Sequence, residues 1–362
     1  MSQERKEQLS RIVIKGFKSI KECEVDLRNI NVLIGSNGAG KSNFISIIEL
    51  LQNIAKGELS RYATKKGANA LLYNGAKVTD SISAEFYFGE FVYSFDLEMT
   101  DENSLSIVGE SVGPVGSPIS DGGYKESRLY DWRNDNKTNS EAIHIVLDGH
   151  WRTYHFHDTS PTAKIKTAHN ISNAIFLHKD AGNLAAFLLR LRNFYPDEYD
   201  NIIKAIQMVA PYFDNFVLHP EEGNDEQIVL RWRRKGCDDT FNASQFSDGT
   251  LRFICLATLL LQPTASQPAT MIIDEPELGL HPFAISILAE MVQKVAVNKQ
   301  IILATQSVEL LDNFDVEDII VVDSAEDGSE FRRLDAEELK LWIENDYTLG
   351  ELWNKNIFGG RP

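Results

Sequence analysis

The segment Gly35-Ser36-Asn37-Gly38-Ala39-Gly40-Lys41-Ser42 has the spacing G-x-x-x-x-G-K-[ST], and residues of these types at this spacing build a phosphate cradle. Glycines let successive backbone N–H groups turn inward around β- and γ-phosphate oxygens. A helix starting near Lys41 adds its positive end, Lys41 a point charge and Ser42 a hydroxyl for Mg2+. Asn43, next in the chain, joins the residues expected to face a nucleotide. A Gly-rich strand-to-helix turn can match this pattern by accident, but here an apolar strand precedes it and an amphipathic helix follows. Such a loop needs a carboxylate on a neighbouring strand, and Met271-Ile-Ile-Asp274-Glu275-Pro276 supplies one. Asp274, at the tip of a buried strand, can hold Mg2+ through water, and Glu275 can accept a proton from an attacking water. In isolation the same acids read as a solvated strand end; with the loop they point to ATP and Mg2+ as ligands.

The elements that must position these residues are legible in outline. Ile12 and Ile14 alternate with Val13 and Lys15, Ile30–Ile34 is a short apolar strand, and Phe44, Ile47, Ile48, Leu51 and Ala55 form one stripe of a helix. From about 70 to 160 the period changes to two, with Ala84, Phe86 and Phe88 on one face. Ile143, Ile145 and Leu147 before Asp148-Gly149 predict a strand and hairpin continuing through Trp151 to Phe156, and Gly109–Ser140 predicts a mobile loop. This stretch reads as an antiparallel lobe inserted into another domain. Residues 181–210 predict one or two helices with Leu184, Phe187, Leu188 and Leu191 inward, and 214–233 returns to strand. Beyond 250, apolar strands alternate with helices, which indicates a parallel sheet in an α/β fold. Asp335 with Glu338 predicts a capping box before a C-terminal helix, and a tail ending Phe358-Gly-Gly-Arg-Pro follows.

Asp274 follows Lys41 by 233 residues, so a large insertion separates the two motifs. In this the sequence resembles the ABC-type ATPase heads of the RecF/SMC/OLD group. Ile12-Val-Ile-Lys-Gly-Phe-Lys-Ser-Ile20 is similar to that group's opening, Ser247-Asp248-Gly249-Thr250 to a variant ABC signature, and Asp274-Glu-Pro-Glu-Leu-Gly-Leu-His-Pro282 to Walker B plus D-loop. Gln306, in Ala304-Thr-Gln-Ser307, stands where the group has its switch His. The resemblance covers roughly 11–55 and 240–325; around Phe241–Pro282 it is similar to bacterial stand-alone AAA-family ATPases related to RecF. It implies a P-loop NTPase of the ABC-head type with an antiparallel β-rich lobe and a helical insertion. Residues 1–60 and 240–330 would be a split ATPase core, 61–239 the inserted lobe and 331–362 a C-terminal helix and tail. It also implies that Ser247, Asp248 and Gly249 serve the ATP of an opposite subunit in a head-to-tail homodimer, or a higher even assembly. Gln306 would position the lytic water or sense the γ-phosphate, and Phe17 and Lys18 would touch the adenosine half. Alone, Ser-Asp-Gly-Thr reads as a helix N-cap, and Phe17 as core.

Composition restricts the remainder. The 362 residues carry a net charge of −17, which excludes a general basic coat for nucleic acid but not a local patch. No apolar run reaches the ~18 residues of a membrane span, the N-terminus lacks a secretory h-region, and Cys23, Cys237 and Cys255 form no disulfide framework. A reducing cytoplasm and no membrane are expected. Arg231, Arg233, Arg234 and Lys235 around Trp232 read as a solvated strand face before a nucleic-acid contact, and Lys164 and Lys166 likewise. His281 reads as D-loop structure, and His144, His150, His155 and His157 lack metal-ligand spacing. The leading reading is an ATPase, hydrolysing ATP to ADP and phosphate, that switches conformation in a DNA-repair or anti-phage-defence setting. About 38 residues follow Ser324, too few for the Toprim nuclease of the OLD type, so an effector is expected on a separate chain, and DNA is a candidate partner. The alternative is a non-hydrolysing, ATP-gated scaffold that holds an effector inactive; a transporter subunit fits poorly.

Overall fold

In the computed structural model, which describes residues 7–134, 140–148 and 150–360, the N-terminal alternation becomes a hairpin. Leu9–Phe17 pairs antiparallel with Ile20–Asp26 and, on its other edge, with Ser81–Phe88, so that Ile12 faces Phe86 and Ile14 faces Ala84. Phe91–Met99, Leu105–Pro114 and Ile119–Asp121 extend this antiparallel sheet to six strands. A second six-stranded sheet has the order Gly328–Arg333, Ile319–Ala325, Ile30–Ile34, Gln300–Thr305, Thr270–Asp274, Trp151–Tyr154. Ile30–Ile34 lies at its centre, parallel to both Gln300–Thr305 and Ile319–Ala325. Burial on both faces explains why these strands are continuous apolar runs rather than alternating ones. One core joins Ile12, Ile14 and Phe86, the helix residues Phe44, Ile47, Ile48 and Leu51, and Leu33, Ile302 and Ile320; each such side chain contributes roughly 1.5–3 kcal/mol by its burial.

The chain divides into two units. The first holds the residues up to Thr153, Pro268–Ile272 and those from Asn298 onward; the second holds Tyr154–Gln267 and Ile273–Val297. The chain therefore passes from one to the other inside the strand Thr270–Asp274. The second unit contains the helices Leu184–Phe194, Pro196–Val209, Asp248–Leu261 and Pro282–Ala296. Pro196 at the first helical position and Asp197 and Glu198 in the first turn start the second of these. A three-stranded sheet, Phe213–Val217, Arg231–Arg234 and Thr240–Asn242, packs its Trp232 against Phe241 (4.9 Å) and Phe246 (4.3 Å).

Four expectations are corrected. Residues Ser140–Leu147 are a helix, not a strand: Ala142, Ile143 and Val146 are buried at helical spacing, and Asp148 N–H continues the ladder to His144 O. Of the hairpin turn Asp148-Gly149, Gly149 lies outside the described residues, and the strand after it ends at Tyr154. The expected loop 109–140 begins as the sheet strand Leu105–Pro114 and later holds the helix Leu129–Asn134. Glu110 organises it, accepting from Tyr93 OH, Ser127 Oγ and Arg128 N–H; residues 135–139 lie outside the described ones. Asp335 caps Ala336–Ile343 through Glu337 N–H, whereas Glu338 faces Arg332 at 3.6 Å instead of closing a box. Phe17, expected beside a nucleotide, is fully buried in the core; strict alternation would put it on the outer face with Val13 and Lys15, but Gly16, at φ 71°, breaks the alternation just before it. Of the tail, Arg361 and Pro362 lie outside the described residues.

Candidate nucleotide site

In the first unit the loop 35–40 connects the central strand Ile30–Ile34 to the helix Lys41–Ala55. Its glycines are there for two different reasons. At Gly35 a Cβ would stand 2.3 Å from Val322 O, and at Gly40 (φ 121°) 2.1 Å from Ser329 Oγ, so both are pressed against the strands beside them. Gly38, at φ 81°, would meet nothing within 4 Å among the described residues, and only its left-handed backbone calls for glycine. Lys41 is buried, and its Nζ donates to Gly35 O (2.5 Å) and Ser36 O (3.0 Å), drawing the loop around its own ammonium. The helix N-cap, Gly40, has no side chain to occupy the amide end. An ammonium, an uncapped helix end and the exposed Ser42 hydroxyl together fit a phosphate chain with a divalent cation.

The surrounding side chains brace this loop. Asn43 Nδ2 donates to Ser19 Oγ (2.7 Å), which is paired with Ser329 Oγ (2.7 Å), so Asn43 ties the helix's first turn to the strand hairpins. Lys18, at φ 49°, donates to Ser46 Oγ (2.7 Å), and Ser46 Oγ donates to Ser42 O. Burial, with Lys66 adding to it, pulls the Lys18 ammonium below the ordinary lysine range. Gln306, just past the strand Gln300–Thr305, donates from Nε2 to Asn37 Oδ1 at 2.7 Å and so reaches the loop 35–40. The sequence singled out neither Ser19 nor Ser329; only contact across the fold identifies them.

The second unit carries the other set. Asp274 ends its strand, and Glu275 follows at φ 44°, a left-handed conformation that costs a non-glycine residue roughly 1–3 kcal/mol and is held where surrounding structure over-determines it. His157 Nε2 lies 2.9 Å from Asp274 O. Ser247 caps the helix Asp248–Leu261, its Oγ accepting from Thr250 N–H. Gly249 touches the D-loop directly, for a Cβ there would stand 2.1 Å from Gly279 O. Arg252, one turn further along, donates to Leu278 O (3.1 Å) and His157 O (3.0 Å). It is the one charge between Leu251 and Leu261, a stretch otherwise apolar but for Thr258, a signal the sequence held. His281 caps Pro282–Ala296 by accepting from Phe283 N–H. In the basic cluster Arg231 pairs with Glu221 (2.8 Å), Trp232 is buried, and Arg233 and Arg234 are exposed; Lys164 pairs with Asp180. Among the described residues no three His, Cys, Asp or Glu side chains converge as a metal cluster, and no helix is long and apolar enough to cross a membrane.

With this geometry the comparisons can be placed. The family model described as "AAA domain, putative AbiEii toxin, Type IV TA system" matches residues 30–312. The chain belongs to this family. Among curated relatives of the family member, the DNA replication and repair protein RecF of Vibrio campbellii is 23% identical over 229 residues, 57% of this chain and 60% of RecF. The chain thus spans about 60% of the length of the curated relative it matches. Of solved structures, an SMC head bound to the C-terminal winged-helix domain of ScpA superimposes with a TM-score of 0.62 at 16% identity, covering 92% of this chain and 99% of that one. An SMC head with an extended coiled coil, bound to the C-terminal domain of ScpA from Pyrococcus furiosus, gives 0.58 at 14%, covering 93% and 99%. The SMC head of Thermotoga maritima gives 0.50 at 15%, covering 91% and 99%. The fold is that of a RecF/SMC-like ABC-type ATPase head, a P-loop architecture.

Proposed function

We propose that this ATPase-family chain is a Mg2+-dependent ATP hydrolase that dimerises head-to-tail on ATP and acts as a conformational switch in a DNA-repair or anti-phage-defence complex. The observation that carries the reading is the braced loop 35–42, with Lys41 Nζ on two of its carbonyls and Gln306 on Asn37. Residues 1–60 and 240–330 supply the ATPase core in this reading. Lys41 neutralises phosphate charge, the amides of 35–43 hold phosphate oxygens, and Lys18 lies toward the adenosine half. Ser42 and Asp274 would hold the metal, whose charge would offset that of the phosphates. Glu275 accepts the proton of the attacking water, Gln306 orients that water, and Ser247, Asp248 and Gly249 close the site of a second copy. RecF's name as a replication and repair protein and the toxin–antitoxin wording of the family description support the setting, with DNA or a separate effector chain as partner. Phosphate release from ATP and Mg2+ by the wild type, together with a native mass spectrum of Glu275→Gln holding ATP, tests it. Turnover by the wild type and an ATP-bound dimer of the variant are expected; a monomer retaining ATP would overturn the sandwich.

One observation favours a second reading, an ATP-gated scaffold that scarcely turns over and holds an effector inactive. Gln306 cannot act as the imidazole of a switch His does, and its amide is engaged by Asn37. Wild-type phosphate release no faster than that of Glu275→Gln would select this reading.

A further inference from the structure

Arg252 sits five residues after Ser247 on the same helix, and its guanidinium is inserted between chain segments rather than spread on the surface. Nη1 donates to Leu278 O at 3.1 Å, Nη2 to His157 O at 3.0 Å and to Thr159 Oγ1 at 3.4 Å. Its Nε is buried without a hydrogen bond among the described residues. One planar fork thus spans the D-loop and the segment 157–159, a task suited to two rigid, divergent donors and not to a single ammonium. The same helix face meets this segment at a second point. Gly249 lies against Gly279 O, and a Cβ on Gly279 would stand 2.7 Å from Arg252 Nη1.

His157 completes the linkage. Asp274 O can only accept, so the His157 Nε2 facing it at 2.9 Å carries the proton. That carbonyl belongs to the peptide plane preceding Glu275, whose φ is 44°. Rotation of this plane decides where the Glu275 carboxylate points, and the imidazole pins it in a conformation a glutamate seldom adopts. Phe156, His157, Arg252, Leu256 and Asp274–Pro276 line one small depression, so the contacts form a continuous group inside the second unit.

We infer that Arg252 and His157 are positioning residues: a strap that fixes Leu278–Gly279 and the Asp274–Glu275 peptide to the helix carrying Ser247, so that engagement of that helix end sets the aim of Glu275. The inference rests on the hydrolase reading above for its kinetic consequence, though not for its geometry. Neither residue needs to touch nucleotide.

Steady-state hydrolysis, thermal unfolding and amide exchange of the full chain test it, with wild type, Arg252→Ala, Arg252→Lys, His157→Phe and His157→Gln. Misplacement of the proton acceptor by about 1 Å is expected to lower kcat by roughly 10²-fold in Arg252→Ala, with the KM for ATP almost unmoved. Arg252→Lys, which can keep one of the two carbonyls, recovers part of that loss. His157→Phe loses about tenfold, and His157→Gln, which retains an N–H donor, regains it. A merely structural role would lower activity in step with the folded fraction and show no recovery by Lys or Gln, and that result, like wild-type kcat in Arg252→Ala and His157→Phe, overturns the strap. If Arg252→Ala does not fold, Arg252→Lys and the His157 pair decide. If the wild type binds ATP without turning it over, the hydrolase reading fails while exchange still judges the strap. Leu278 N–H bonds to Glu275 O and Leu280 N–H to Glu277 O; at least tenfold faster exchange of these amides in Arg252→Lys upholds it, and unchanged exchange overturns it.

Discussion

The loop 35–42 and the Ser247–Asp274 set are held in place by different means. In the first unit close-packed glycines and side chains that close on the loop share the task. Gly35 and Gly40 are pressed against Val322 and Ser329, and Lys41 turns back onto carbonyls five and six residues before it. In the second unit backbone contacts such as Gly249 against Gly279 O and Leu278 N–H to Glu275 O are tied together by two side chains, Arg252 and His157. A cradle held by packed glycines and by a lysine that closes on its own loop can stay formed whether or not ligand is present. A set tied together by two side-chain joints can be re-aimed by a small change at either.

Changing one charged group in each region should break different quantities. Lys41→Ala removes a charge-assisted hydrogen-bond donor, so ATP affinity should fall by roughly 10–100-fold, read by titration with a fluorescent ATP analogue. Glu275→Gln keeps the shape and loses the proton acceptor, so kcat should fall by about 10²–10⁴-fold while ATP affinity holds. If the two variants lost the same quantity, affinity in both or turnover in both, the division of labour between the regions would be refuted.

Glycine substitutions sharpen the contrast at a smaller scale. Gly35→Ala drives a Cβ to 2.3 Å from Val322 O and Gly249→Ala one to 2.1 Å from Gly279 O. Both meet backbone that cannot swing aside, and each should cost about 3 kcal/mol. Gly38→Ala meets no neighbour within 4 Å among the described residues and faces only its φ of 81°, a cost of about 1 kcal/mol. Thermal melts should therefore rank Gly38→Ala nearest wild type. A Gly35→Ala protein melting with Gly38→Ala would mean the strand at Val322 yields, and that the cradle is softer than its contacts indicate.

The same contrast explains how much was legible in the sequence. The cradle could be read because a turn, a helix start and a lysine within reach are constraints a few residues apart, although Gly35 and Gly40 also answer to Val322 and Ser329. The strand ending at Asp274 was readable as an apolar run, and Ser247 as a cap. Arg252 with His157 and Leu278 could not be read, since 95 and 26 residues separate the partners and no local period records them. Residues 140–147 failed for another reason. Ile143, Ile145 and Leu147 satisfy a two-residue period, yet Ala142, Ile143 and Val146 satisfy the helical one, and packing chose the helix. Gly109 misled as a loop signal because it lies opposite Asp96 in the sheet, with a carboxylate oxygen 2.9 Å from where a Cβ would stand.

The cysteines allow the two regions to be compared by their opening. Burial pushes the Cys23 thiol up to about 12 and raises that of Cys255 strongly as well, while Cys237 is half-exposed. Raising a thiol's ionisation point disfavours the thiolate, the reactive species, so at pH 8 the folded chain should label rapidly at Cys237 alone, and all three should label in denaturant. Slow labelling of the other two then proceeds through local opening, which Cys23 reports from the antiparallel sheet of the first unit and Cys255 from the Ser247 helix of the second. Gly35→Ala should speed Cys23 labelling by several-fold and leave Cys255 nearly unchanged, and Gly249→Ala should do the reverse. Equal acceleration of both thiols by either substitution would mean that the two regions open as one cooperative body, and the independence on which their different construction depends would be lost.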